Sequence, residues 1–481
     1  PTSPLQSADL RVLSLDALID YLATWKPEES HHSPTPEGLA RELTPVVAAD
    51  PQRFAEGANR FRGLDPTYVR SLLAGFRDAA GQKHIFGWKE VLELCGWVVG
   101  QPRDFHRVES RPLERDPHWG WARKTIAELL EQGFTQGPTE IPFDLRESAW
   151  NILEKITTDP EPTPDYEQKY GGSNMDAAHI AINTTRGEAM HAVIYYAYWV
   201  RRALDEKRSH QESEALFQNF DEMPEVREVL ETHLRTDPSL GVRSVYGRFF
   251  PQLYFLDANW TKTHLRTIFP LDESMYHFFE AAWNTYVLFA NPPDDLIDVL
   301  APIYAHAMEH LKGRTNEKSH NLEAEHLAAR LVGYYWKGKL DVGEDSLLQL
   351  FWSKADANLR GYLFENVGRS LANTHGDIPE ELLKRLQQLW EFRLAVAEAS
   401  SDPQQYKEEL AGFSWCFTSG KFSDQWAIDE LITVLQFTRK IDYPRFVVER
   451  LANIATPYPR LVVRCLRLIV ESDLATWEIY S

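Results

Sequence analysis

The stretch Asp176–Arg202 reads DAAHIAINTTRGEAMHAVIYYAYWVRR, contains no proline and is long enough for about seven helical turns. From Ala189 to Val200 it is apolar almost all the way round the helix. A helix that is apolar on every side is normally surrounded by neighbours rather than laid on a surface. Its apolar part is too short, and its start too polar, to span a membrane. The stretch therefore predicts one central, buried helix with other helices on at least two sides.

Polar side chains in the first half of this helix are spaced so that they share two neighbouring faces. The first face carries Asp176, His179, Asn183 and Arg186, and the second carries Thr184, Glu188, His191 and Tyr195. Buried polar groups need partners, so the pattern predicts either a hydrogen-bond network that fixes helix docking or a ligand site, and such networks are commonly structural. The candidate binding residues are Asp176, His179, Asn183, Arg186, Glu188 and His191.

The sequence makes a specific prediction about the surroundings of two residues in this stretch. Gly187 lies between the two polar faces, where the absent side chain lets another backbone approach. Arg186 needs a carboxylate or several carbonyls around it if it is buried, because its guanidinium offers five donors and keeps its charge. We expect its partner to come from the 159–174 loop or from the helix that begins at Pro224. The two polar faces should then be buried and mutually bonded.

Glu188-x-x-His191 matches half of a carboxylate-bridged di-metal motif. The complete motif needs a second such pair and two further glutamates on facing helices. The sequence does not present that complete set, so we expect no metal and no other cofactor.

One segment, His306-Ala307-Met308-Glu309-His310, fits the H-x-x-E-H pattern of inverted zinc proteases. Two histidines four apart on one helical face suit zinc, and Glu309 is placed to act as a base. A third ligand would have to come from a later helix, with Glu323 and Glu325 as candidates. The favoured interpretation is an ordinary helix whose Ile303, Met308 and Leu311 pack inward.

The composition is that of a globular protein with an acidic surface. The chain has 481 residues and a net charge of −20, which repels phosphate backbones and makes nucleic acid an unlikely partner. Cys95, Cys416 and Cys465 lie far apart in apolar contexts and indicate reduced thiols in a cytoplasmic protein. No apolar run predicts a membrane span. The chain begins without methionine and ends within an amphipathic pattern, so we interpret it as a fragment of a longer polypeptide.

Helical spacing of apolar residues runs through nearly the whole chain, and period-two alternation is nearly absent. Asp-Pro, which is typical of a helix start, occurs six times, at Asp50, Asp65, Asp116, Asp159, Asp237 and Asp402. Short helices with abrupt starts predict an all-α fold, a right-handed α-solenoid of degenerate HEAT/armadillo-like helix pairs. We divide this continuous solenoid into N-terminal repeats (1–158), a loop with the central helix (159–202) and C-terminal repeats (203–481).

Several stretches resemble one known class of protein. GFSWCFTSGKFSDQWAIDEL (Gly412–Leu431), which follows Glu409-Leu410, and FVVERLANIA (Phe446–Ala455) resemble a helical region of very large bacterial STAND-type NTPases, some of them linked to defence against phage. Asn183–Val200 and Val242–Leu253 are similar to other parts of that region. In such proteins an effector and an NTPase module precede a long helical-repeat sensor. The resemblance implies that this chain is the repeat portion alone, because it lacks the Walker motifs.

We therefore expect a non-catalytic module that binds a protein or peptide partner. The chain contains no phosphate loop, no dinucleotide fingerprint and no nucleophile elbow, whereas stacked helix pairs offer long surfaces suited to protein partners. The resemblance implies target sensing, with a partner of phage origin, and homo-oligomerisation through domains outside this chain. Two alternatives stay open: a scaffold that spaces other domains, and a zinc hydrolase built on His306, Glu309 and His310.

Overall fold

The computed structural model describes residues 2–28, 33–104, 115–171, 175–209, 219–311 and 322–472, apart from the side chains of 208 and 209. Every regular element in these ranges is a helix, so the predicted all-α fold is confirmed. The chain divides into two compact units, Pro1–Ala290 and Asn291–Ser481. The borders predicted after residues 158 and 202 stay predictions.

Sixteen α-helices form the described part of the first unit. They are α1 (Ser7–Val12), α2 (Leu15–Thr24), α3 (Pro36–Ala49), α4 (Pro51–Glu56), α5 (Pro66–Gly81), α6 (Trp88–Gly100), α7 (Gly120–Phe134), α8 (Arg146–Thr157), α9 (Pro164–Tyr170), α10 (Ala177–Asn183), α11 (Thr185–Ser209), α12 (Pro224–Thr236), α13 (Leu240–Arg248), α14 (Phe250–Leu256), α15 (Ala258–Ile268) and α16 (Tyr276–Phe289). Short 3₁₀ segments occur at Ala58–Phe61, Phe143–Leu145, Phe220–Glu222 and Glu273–Met275.

Helix packing in this unit often skips one or more helices along the chain. α3 packs on α5, α5 on α7, α7 on α11, and α13 on α16, while α6 packs on α8. α11 lies at the centre, in contact with α7, α8, α10, α13 and α14. Its Tyr196 and Trp199 are at most 1% exposed. The prediction of a central helix surrounded by others is therefore confirmed.

The predicted single helix is interrupted, and this corrects the sequence interpretation. α10 ends at Asn183, Thr184 is extended, and α11 begins at Thr185. The Thr184 hydroxyl donates to the Ile180 carbonyl (2.8 Å) and so provides a hydrogen-bond donor for a carbonyl in the last turn of α10. A Cβ added at Gly187 would lie 2.3 Å from the Ala181 carbonyl oxygen, so the approach expected at Gly187 is made by α10 itself.

Half of the Asp-Pro dipeptides do not begin helices. Asp65 caps α5 by accepting from the Thr67 amide, as expected. Three others lie outside helix starts, and arginines of neighbouring elements bind their carboxylates: Asp116 with Arg70, Asp159 with Arg103 and Arg123, and Asp237 with Arg186. Long-range ion pairing outweighs the local capping preference at these three sites.

The second unit contains ten further α-helices in its described residues. They are α17 (Leu296–Glu309), α18 (Leu322–Trp336), α19 (Leu347–Lys354), α20 (Ala357–Asn373), α21 (Glu380–Glu398), α22 (Lys407–Ala411), α23 (Phe413–Ser419), α24 (Asp424–Thr438), α25 (Pro444–Asn453) and α26 (Pro459–Glu471), with a 3₁₀ segment at Pro403–Tyr406. α18 packs on α20, α20 on α23 and α24 on α26. Among the described helices of both units, none is at once long and apolar enough to cross a membrane.

Candidate functional site on the central helix

The first predicted polar face is split by the interruption, and its α10 part is exposed. Asp176 caps α10 by accepting from the His179 amide (2.8 Å), and its carboxylate lies 2.9 Å from His179 Nδ1. The two side chains are 63% and 61% exposed. Asn183 is also exposed and donates to the His179 carbonyl. The prediction that this whole face is buried is wrong, because α10 turns these side chains to solvent.

Arg186, the remaining member of that face, is largely buried and lies among two backbone carbonyls and a carboxylate. It donates to the carbonyls of Asp159 (2.7 Å) and Pro162 (2.8 Å). Its Nε lies 2.9 Å from Oδ2 of Asp237, the residue that ends α12. Burial raises the pKa of Asp237, but a hydrogen bond from His233 and the charge of Arg186 outweigh burial and bring that pKa below its ordinary value. The first expected source of a partner, the 159–174 loop, is confirmed by the Asp159 and Pro162 carbonyls, and the carboxylate comes from Asp237, directly after the helix that begins at Pro224.

The second polar face is buried and meets a glutamate of a facing helix. Glu188 and His191, one turn apart on α11, are 9% and 6% exposed, and His191 Nδ1 lies 3.8 Å from Glu188 Oε2. Glu131 of α7 joins them: one ligand atom from each of the three residues lies within 4.8 Å of the others. Glu188 Oε2 has no hydrogen-bond partner in the described part of the chain.

The protonation states of this cluster follow from its burial. Desolvation raises the pKa of Glu188 to about 8, and the nearby Glu131 and Glu128 add to that rise. Desolvation lowers the pKa of His191 to about 3, helped by the charges of Arg248 and Lys124. Both shifts favour the uncharged form of the side chain. Burial also raises the pKa of Glu131.

A cavity of about 310 Å³ adjoins this cluster, because two of the side chains that line the cavity contact cluster residues. The cavity is lined by Phe134, Thr135, Gln136, Ile194, Tyr195, Tyr198, Arg202, Phe249 and Gln252. Tyr195 interacts with Glu131, and the Phe249 ring packs edge-on against His191 with centroids 5.3 Å apart. The cavity is therefore built on the same face of α11 as the buried polar cluster.

The cavity combines an aromatic wall with an unused acceptor. Tyr198 stacks on Phe255 at 5.8 Å, and Arg201 lies over the Phe255 ring at 5.8 Å. Phe255 is 55% exposed, so this wall reaches the surface. Gln252 Oε1 is buried and accepts no hydrogen bond from any described residue. Such a cavity suits a bulky apolar group that has an N–H donor beside it.

The H-x-x-E-H segment lies at the end of α17 in the second unit. The rings of His306 and His310 are 4.7 Å apart, as their spacing predicts. Glu309, however, is half-exposed and forms an ion pair with Lys354. Within the described ranges, neither Glu323 nor Glu325 comes near enough to the two histidines to complete a metal-ligand group. The two glutamates expected as the third ligand of a zinc site therefore do not fill that role.

The sequence identified part of this site and missed the rest. Glu188 and His191 are brought together as predicted, whereas Asp176, His179 and Asn183 lie apart from them on α10. Glu131 and the cavity residues Tyr198, Phe249 and Gln252 were not identified. Glu131 lies three residues after Glu128 and seven after Lys124 on an ordinary amphipathic helix, and that pattern does not indicate that Glu131 faces α11.

Comparison with known proteins adds little. No protein-family model and no curated protein matches the chain. The crystal structure of an engineered protein from the Northeast Structural Genomics Consortium aligns with 90% of this chain and 94% of its own, at 11% identity and a TM-score of 0.28. That likeness is too low to indicate a shared fold.

Proposed function

We propose that this chain is a non-catalytic helical-repeat module that binds a protein or peptide partner, and that the cavity beside α11 receives one bulky apolar side chain of that partner. One observation supports this most: an aromatic-lined cavity of about 310 Å³ has Gln252 in its wall, and the buried Oε1 of that side chain accepts no hydrogen bond from any described residue. Aromatic pockets with one oriented polar group are typical recognition sites. A rotation of the Gln252 amide would turn this oxygen toward the cavity, where a peptide N–H of the partner would donate to it.

The wider role we infer is target sensing within a larger STAND-type signalling or defence protein in the bacterial cytoplasm, with a partner of phage origin. The resemblance of Gly412–Leu431, Phe446–Ala455, Asn183–Val200 and Val242–Leu253 to that class supports this role. Packing between helices that are not consecutive, such as α3 on α5 and α5 on α7, supports a right-handed solenoid of HEAT-like pairs within the first unit.

Peptide display tests the proposal directly. A random peptide library is selected on the immobilised chain, and an enriched peptide is resynthesised and titrated by fluorescence polarisation. We expect a shared bulky apolar residue among the enriched peptides. Tyr198→Ala should weaken binding by roughly 30-fold or more, the loss typical of an aromatic hot spot. Gln252→Ala should cost about fivefold, the usual contribution of one hydrogen bond.

Tyr170→Ala is the matched control for Tyr198→Ala. Tyr170 is also a partly exposed aromatic residue of the first unit, with a ring neighbour in Tyr166 at 4.7 Å and the Lys169 ammonium over its ring at 4.9 Å. It does not line the cavity. Equal melting temperatures of the variants exclude unfolding as the cause. Failure to enrich any peptide, or equal affinity for Tyr198→Ala and Tyr170→Ala, would contradict the proposal.

A further inference from the structure

Three side chains from two helices converge beside the cavity in the manner of metal ligands. Glu188 and His191 of α11 and Glu131 of α7 each place one ligand atom within 4.8 Å of the other two. Ligand atoms around a tetrahedral first-row metal ion are about 3.4 Å apart, given bonds of about 2.1 Å. The 3.8 Å from His191 Nδ1 to Glu188 Oε2 is already close to that spacing. Small side-chain rotations would complete the set.

The buried state of these groups is a second, independent observation. Glu188 is 9% exposed, and its Oε2 has no hydrogen-bond partner among the described residues. His191 is 6% exposed, and its Nδ1 lies 3.8 Å from that same oxygen, beyond hydrogen-bond distance. A buried polar atom without a partner costs free energy, and a bound ion is one way to remove that cost. A cation between the glutamate and the imidazole would satisfy both.

The charged groups around the cluster leave room for a cation. Lys124 and Arg77 both pair with Glu128, so these two positive charges already share one carboxylate. Arg248 of α13 influences Glu188 and His191 from a distance, and its guanidinium lies over the rings of Phe249 (5.7 Å) and Phe289 (5.3 Å). Tyr195 interacts with Glu131.

We propose that Glu131, Glu188 and His191 bind a first-row divalent transition-metal ion. One imidazole with two carboxylates suits Zn²⁺ or Mn²⁺, whereas Mg²⁺ and Ca²⁺ prefer all-oxygen sites. Three protein ligands leave at least one position for water or for a partner's donor atom. The site is independent of the peptide-binding function proposed above.

Metal titration of the whole chain tests this site. The protein is treated with a chelator, dialysed, and titrated with ZnCl₂ and separately with MnCl₂ by isothermal calorimetry. We expect one strong site of about one ion per chain. Glu188→Gln, His191→Gln and Glu131→Gln should each weaken it by about tenfold or more, the least that loss of a direct ligand should cost. With Co²⁺ as the probe, the visible absorption of an imidazole-bound ion should vanish in His191→Gln.

Two matched controls locate the binding. His179→Gln alters another carboxylate–imidazole pair with the same i,i+3 spacing, but one that is exposed. His306→Gln removes one of the two adjacent imidazoles of α17. Both controls should bind as the parent does. Absence of a strong site, loss of that site in His306→Gln, or its survival in both Glu188→Gln and His191→Gln would overturn the proposal. Glu188→Gln preserves shape and hydrogen-bonding capacity, so it guards against a variant that merely fails to fold.

Discussion

Arg186 and Glu188 lie two residues apart at the start of α11, but the groups that surround their side chains differ. Arg186 is enclosed by two backbone carbonyls and the Asp237 carboxylate, each within 2.9 Å of a guanidinium nitrogen. Glu188 is equally enclosed, yet one of its oxygens has no hydrogen-bond partner in the described ranges. Burial alone therefore does not separate a structural polar residue from a functional one. The charge of the surrounding groups does separate them, because acceptors surround the Arg186 cation whereas the carboxyls of Glu128 and Glu131 lie near Glu188.

The difference follows from what each residue faces. Arg186 points at the 159–162 turn and at the end of α12, where free backbone carbonyls and an aspartate are available. Glu188 faces the part of α7 near Glu131, where helical hydrogen bonds occupy the backbone, so that only side chains of α7 can bind it. Those side chains are the carboxyls of Glu128 and Glu131 and the ammonium of Lys124, and Lys124 already binds Glu128.

The strongest way to break this comparison is to remove Arg186. Arg186→Ala leaves Asp237 buried with one fewer positive partner and leaves two carbonyls unpaired, so we expect a loss of about 3–5 kcal/mol in the free energy of unfolding, measured in urea. Arg186→Lys should rescue poorly, because an ammonium cannot reach three acceptors in the plane of the guanidinium. Arg227→Ala, which breaks a half-exposed ion pair with Glu231, should change stability little. A parent-like stability together with loss of peptide binding would instead make Arg186 a recognition residue.

In chelator-treated protein, Glu188→Gln should raise the free energy of unfolding, whereas Arg186→Ala lowers it. The folded-state pKa is about 8 and the unfolded value about 4.5, so folding retains a proton that the unfolded chain releases. This contribution is complete below pH 4.5 and is lost as the pH rises through 8. Between pH 5 and 8 the parent should lose about 3 kcal/mol relative to the variant, whose amide does not titrate. Parallel stability profiles for the two proteins would show that Glu188 is ionised and already satisfied.

How much of this comparison the sequence predicted depends on the range of the contacts involved. The apolar run from Ala189 to Val200 predicted the central helix, because one continuous segment contains the residues that make the helix apolar on every side. The interruption at Thr184 was not predicted, since apolar periodicity continues across it and the deciding contacts are a threonine hydroxyl and a glycine against Ala181. Glu131 was out of reach for a stronger reason: its meeting with Glu188 depends on how α7 docks on α11, which no local spacing encodes.

The interruption itself provides the third test. Gly187→Ala would place a Cβ 2.3 Å from the Ala181 carbonyl oxygen, a backbone atom that can move only with α10. We expect a loss of about 2 kcal/mol in unfolding free energy, as in other overpacked sites. Gly333→Ala is the matched control, because Gly333 lies inside α18 with no atom within 4 Å of an added Cβ. That substitution should stabilise by about 0.5–1 kcal/mol through helix propensity. Equal effects at the two glycines would mean that α10 moves away from the added Cβ at little cost in free energy.

The smallest effect is expected at His179, and it sharpens the contrast between α10 and α11. His179 and Asp176 repeat the carboxylate–imidazole spacing of Glu188 and His191, but both are more than 60% exposed. Water screens this pair, so His179→Gln should change stability by less than about 0.5 kcal/mol. Asp176→Ala should cost about 1 kcal/mol, because the carboxylate also caps α10 through the His179 amide. The two variants, compared by thermal unfolding, separate capping from ion pairing. A loss at His179→Gln as large as that at Asp176→Ala would show that the exposed pair is held by something beyond the cap.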